Sequence, residues 1–172
     1  MQWIKRILII FSALVLLEVI GGVGFVWYVS SDLREREHVS DEVLIKNLGS
    51  HTEQYQRLIS MFREDYPVAV VHPDWISPNN VITADRWAEY QSLFDELEID
   101  AGMRAWGEGS IWFISTARGP VTGGSSKGYM YQSETHTPVY PSLDEIPETL
   151  QANVKGFRKI NDAWSIVLVW DD

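Results

Sequence analysis

Residues 7 to 29 read ILIIFSALVLLEVIGGVGFVWYV, a run that is apolar except for Ser12 and Glu18. As a helix rising about 1.5 Å per residue, it crosses a ~30 Å hydrocarbon core with some tilt to spare. Trp3 precedes the run and Trp27 with Tyr28 closes it, as aromatic belts at the two interfaces require. Lys5 and Arg6 flank its start, whereas Asp32, Arg34, Glu35, Arg36 and Glu37 give a mixed flank at its end. The positive-inside rule then predicts a cytoplasmic stub (1–6), a transmembrane signal anchor (7–29), a linker (30–39) and an external domain (40–172). A cleaved signal peptide is the competing reading. Its apolar region would be shorter and end in small residues, and this run ends in Phe25, Val26, Trp27 and Tyr28.

Glu18 is the exceptional residue of the run, because an ionisable group at mid-bilayer costs on the order of 3 kcal/mol. Gly21 and Gly22 follow it by three and four residues and share its helix face. A small-residue groove beside a polar group suits close helix–helix packing in lipid. The expectation is a membrane-protein partner, or a homo-oligomer, joined through Glu18, Gly21 and Gly22 within the lipid bilayer.

The formal charge of the chain is −10. Lys5 and Arg6 against Glu18 leave the first 29 residues at +1, so the remainder carries −11. So acidic a surface repels phosphate backbones, which argues against nucleic acid as a partner. The absence of cysteine excludes disulfides, thiolate metal sites and Cys nucleophiles. Hydrophobic content of 45% with eight Trp identifies a packing sequence, and the 135 or so residues beyond the anchor suffice for one core.

Ser40 is placed as an N-cap, with Asp41 and Glu42 in a first helical turn. Leu44, Leu48, His51, Tyr55, Leu58 and Phe62 continue at helical spacing as one stripe, until Asp65-Tyr66-Pro67 ends it. The segment 68–71 reads as a short strand and 72–80, with Pro73 and Pro78, as loop. A second helix opens at Thr83 with the stripe Trp87, Tyr90, Phe94 and Leu97. From Gly102 onward the pattern is that of strands linked by hairpins. Trp164, Ile166, Leu168 and Trp170 fall on one face of the last strand and Val167 and Val169 on the other. That predicts a strand covered on both sides. Helices first and strands after argue an α+β fold: an antiparallel sheet of about five strands with two helices on one face.

No catalytic constellation emerges. Residues 119–128, GPVTGGSSKG, lack phosphate-loop spacing, since no Ser or Thr follows Lys127. Ser126 and Lys127 are adjacent and point to opposite sides of a strand, and the SxxK spacing is absent, which counts against a Ser/Lys dyad. His38, His51, His72 and His136 form no metal-ligand pair. No cofactor is implied. The acidic runs around Asp95 to Asp100 and at Asp171-Asp172 read as solvated faces. Trp75, Tyr129, Tyr131 and Tyr140 are the aromatics that no helical stripe absorbs, and they are the candidates for surface recognition.

The layout has the general look of small bacterial single-anchor envelope proteins. The expectation is a non-enzymatic interaction or accessory module on the periplasmic side of the inner membrane. The alternatives are a tethered hydrolase drawing on Ser125, Ser126, Lys127, His72 or His136, and an accessory ligand-binding domain.

Overall fold

The computed structural model describes residues 38–107, 109–118, 124–132, 138–144 and 155–171. Among the described residues no helix is long and apolar enough to cross a membrane. The run 7–29, with Glu18, Gly21 and Gly22, lies outside them, as does His136.

Three helices come first: α1 (Asp41–Ser50), α2 (Thr52–Glu64) and, after two short strands, α3 (Ala84–Leu97). Ser40 caps α1, its Oγ accepting the Val43 N–H, and Thr83 caps α3 by accepting the Arg86 N–H. The stripe expected to form one helix breaks at His51, which leaves helical geometry at φ −126°, ψ 32°. Gly49 and Ser50 are weak helix formers. Beside them the Thr52 hydroxyl donates to the Leu48 carbonyl at 2.9 Å, relieving an acceptor at the break. Among the described residues of the domain, three helices therefore stand where two were expected.

Among the described residues seven strands form one antiparallel sheet, where about five were expected. They are β1 (Val70–Val71), β2 (Ile76–Ser77), β3 (Met103–Trp106), β4 (Ser110–Arg118), β5 (Gly124–Tyr131), β6 (Lys155–Lys159) and β7 (Trp164–Asp171), in the order β2-β1-β3-β4-β5-β7-β6. The added pieces are short. Residues 72–75 turn tightly, with the His72 N–H donating to the Trp75 carbonyl, so part of the expected loop returns as β2. β7 lies between β5 and β6 with Ile166, Val167, Leu168 and Val169 all buried, as its two-sided pattern requires.

All three helices pack on one face. Leu44 and Leu48, Tyr55, Leu58 and Phe62, and Tyr90, Phe94 and Leu97 join Phe113, Tyr129 and Trp164 in a single core. Trp164 is its hub, with the rings of Tyr55, Phe113, Tyr129 and Tyr131 within 4.8–6.2 Å of its own. The opposite face carries a separate cluster of Trp112, Met130, Phe157, Val167 and Val169. Over it the Arg104 guanidinium lies 4.3 Å from the Trp112 ring, and Lys155 Nζ lies 4.9 Å from that of Trp106. β3 and β6 are four places apart in the sheet, roughly 19 Å if it were flat. Contact between their side chains therefore requires the sheet to curl around this second cluster.

β4 and β5 depart from a regular strand pair at two places. The register of β4 slips between Ile114 and Thr116, a β-bulge that turns Thr116 to the helix face beside Lys127. Gly128 sits so close to β4 that a Cβ there would meet the Phe113 carbonyl oxygen at 2.0 Å.

Candidate functional site

The densest group of convergent polar side chains lies where α1 begins, against β5, β6 and the segment 142–144. Asp41, the first residue of α1, is fully buried. Its Oδ2 accepts from the Leu143 N–H at 2.7 Å and from Arg158 Nη1 at 2.9 Å, and its Oδ1 lies 2.7 Å from Lys127 Nζ. Lys127 is also buried and pairs with Asp144, whose carboxylate in turn accepts the Asp41 backbone N–H at 3.0 Å. Arg158 extends the group to Glu42 at 3.0 Å.

Two cations thus face three carboxylates. Burying such charges is costly, and only mutual pairing with further hydrogen bonds offsets that cost. Burial pushes the Asp41 carboxyl up. The hydrogen bonds from Lys127, Leu143 and Arg158 outweigh that effect and hold it below the usual carboxylate range.

His38 adjoins the cluster. One ring nitrogen lies 2.7 Å from Thr116 Oγ1 and the other 2.7 Å from Ser125 Oγ. Burial, followed by the charges of Lys127 and Arg118, lowers its pKa to about 4. The imidazole is therefore neutral at pH 7 with both nitrogens engaged.

Sequence pattern alone does not single out His38, Asp41, Thr116, Asp144 or Arg158. One signal was available for Lys127. Ser125, Lys127, Tyr129 and Tyr131 alternate along β5, so burying the tyrosines buries the lysine and calls for a carboxylate. Ser126 points away from Lys127, as adjacency requires, whereas Ser125 shares its face.

The aromatics expected at the surface divide. Tyr129 and Tyr131 are in the helix-side core, because the alternation of β5 aims both toward Tyr55 and Trp164. Their assignment to surface recognition is therefore corrected. Tyr140 is partly buried against the same core. Trp75 is 47% exposed and stacks on His72, ring centroids 5.4 Å apart. That places His72 in the β1–β2 turn, away from the Ser125–His38 contact on β4 and β5.

A second feature is open space. A cleft of about 370 Å³ lies between the end of α2 and the β3–β4 hairpin, with Phe62, Val68 and Ile111 as its apolar floor. Among the described residues no group of three or more His, Asp and Glu side chains is arranged to hold a metal ion. Neither a family model, nor a curated protein, nor a solved structure matches the chain.

Proposed function

We propose that the chain is a membrane-anchored, non-enzymatic recognition module, presented by the apolar run 7–29 on the periplasmic side of a bacterial inner membrane. The observation that carries this reading is the closure of the buried polar cluster on itself. Lys127 and Arg158 both direct their charge to Asp41, and both nitrogens of His38 are taken by hydroxyls. That chemistry fastens α1 to the sheet and, among the described residues of the cluster, turns the charges on one another. The open cleft lies elsewhere, against the end of α2.

The test is purification of the full-length protein from membranes in mild detergent, with and without crosslinking. A stoichiometric partner is expected, and Glu18→Leu should reduce its recovery; unchanged recovery in that variant removes the anchor from the interaction. Recovery of a clean monomer under both conditions overturns the accessory-module reading.

A tethered hydrolase is the second reading, favoured by the 2.7 Å contact between Ser125 Oγ and His38. A general base must become cationic as it takes the serine proton. Here burial, Lys127 and Arg118 all oppose that charge, which is why recognition ranks first. Covalent labelling of the intact protein by a fluorophosphonate, lost in Ser125→Ala, would reverse the ranking.

A further inference from the structure

The cleft at the end of α2 has a chemistry of its own. Its floor is apolar, and two small side chains, Ala69 and Ala105, lie side by side along one wall, joined by a backbone hydrogen bond of 2.8 Å. At the mouth, Tyr66 is 85% exposed, a large aromatic surface left to water beside an apolar recess. Gly107 and Gly109 take positive φ of 62° and 76°, and nothing lies within 4 Å of where their Cβ atoms would be.

Arg63 is the one charged side chain among the described lining residues. Its Nη2 donates to Gln132 Oε1 at 2.6 Å, and its guanidinium lies 5.6 Å from the Tyr131 ring centroid. Those contacts hold the cation at the wall and use one of its five N–H donors. The acidic neighbours Glu64 and Asp65 are occupied by Arg86 at 2.7 and 3.1 Å, so they do not neutralise Arg63.

We infer that this cleft binds a small aromatic carboxylate, its ring between Phe62 and Tyr66 and its carboxylate on Arg63. The inference rests on the recognition reading and names the ligand class for it. Size follows from the volume, at the low end of the 300–1,000 Å³ typical of small-molecule sites. Aromaticity follows from the exposed Tyr66 ring, which gains most from an offset flat partner. The sign of charge follows from Arg63, since a guanidinium recognises a planar carboxylate through paired N–H donors. A chain of net charge −10 whose described lining residues at this recess include one cation and no carboxylate favours anions there against its own overall field.

Saturation-transfer NMR on the full-length protein in detergent tests this with phenylacetate, phenylacetamide, phenethylamine and hexanoate. Phenylacetate should bind with millimolar affinity or better, and the other three at least about tenfold more weakly. Ala105→Trp, which fills the cleft from an exposed strand position, should abolish the signal while thermal unfolding stays close to wild type. Arg63→Gln should erase the preference for phenylacetate over phenylacetamide and leave ring binding in place. Equal binding of phenethylamine, persistence of the signal in Ala105→Trp, or no transfer to any fragment overturns the inference. A protein that binds no fragment but still crosslinks to a partner loses the cleft ligand and keeps the recognition role. One that binds phenylacetate through Arg63 but recovers no partner does the reverse.

Discussion

Asp41 and Lys127 meet at 2.7 Å with almost no solvent access, joining the first residue of α1 to the middle of β5. Neither charge would be tolerated there alone. The pair is completed by Arg158 and Asp144, so the group behaves as one unit in which each member depends on the others.

Removing one partner should therefore cost far more than a surface ion pair does. Lys127→Met is expected to destabilise the protein by about 3–5 kcal/mol, because it leaves Asp41 buried against fewer cations. Urea unfolding of the full-length chain in detergent, followed by Trp fluorescence, measures this. Adding Asp41→Asn to Lys127→Met should recover part of the loss. A double variant as unstable as the sum of its singles would show that the two residues act independently.

His38 sets a pH dependence of definite sign. Its folded pKa of about 4 lies below the ordinary 6.5, so the unfolded chain binds the extra proton first. The full contribution is present above pH 6.5 and is lost as pH falls from there to about 4, by at most roughly 3 kcal/mol. Asp41 acts in a separate, lower window. Its depressed carboxyl contributes stability above the ordinary pKa of 3.8, which is lost as pH falls through the folded value. His38→Asn should flatten the stability profile between pH 6.5 and 4 and leave the steeper acid limb below it. An unchanged slope in that variant would count against the buried, neutral imidazole.

Two glycine-to-alanine changes should move in opposite directions. At Gly49, exposed within α1, a Cβ meets nothing within 4 Å, and alanine should add about 0.5–1 kcal/mol through helix propensity. At Gly128 the same methyl runs into the β4 backbone. The cost should reach about 3 kcal/mol, the upper end of the overpacking range. Melting temperatures of the two variants measured side by side suffice.

Trp164 contacts four aromatic rings from α2, β4 and β5, so Trp164→Ala removes the common partner of all of them. A loss of about 3–5 kcal/mol is expected from the cavity and the broken contacts. Loss of near-ultraviolet circular dichroism with the far-ultraviolet spectrum retained would show that packing, and not secondary structure, depends on it.

The architecture was legible where a single periodicity governs a segment. Leu44, Leu48, Tyr55, Leu58 and Phe62 fall on one stripe, and each is buried. The two-sided pattern of β7 placed it inside the sheet. What could not be read was any feature that depends on an exception to periodicity or on distant segments meeting. The bulge between Ile114 and Thr116 moves Thr116 to the helix face, and nothing in the local composition announces it. Asp41 fits the first turn of a helix equally well whether it faces water or a buried lysine. The Gly49–His51 break and the two-residue strands β1 and β2 fall below the length at which spacing is informative. The cleft is also a product of assembly, since the end of α2, the segment 66–69 and the β3–β4 hairpin contribute to it from separate parts of the chain.

The cluster at the start of α1 also bears on how the fold is reached and left. Asp41 and Arg158 are 117 residues apart in sequence, and Asp41 and Leu143 are 102 apart. Contacts of such span close the longest loops, so they are expected to form after β5, β6 and β7 are in register. Interactions made after the rate-limiting step leave the folding rate nearly unchanged and slow unfolding instead. By this argument the buried charges act chiefly as a kinetic lock, lengthening the lifetime of the folded domain more than they hasten its formation.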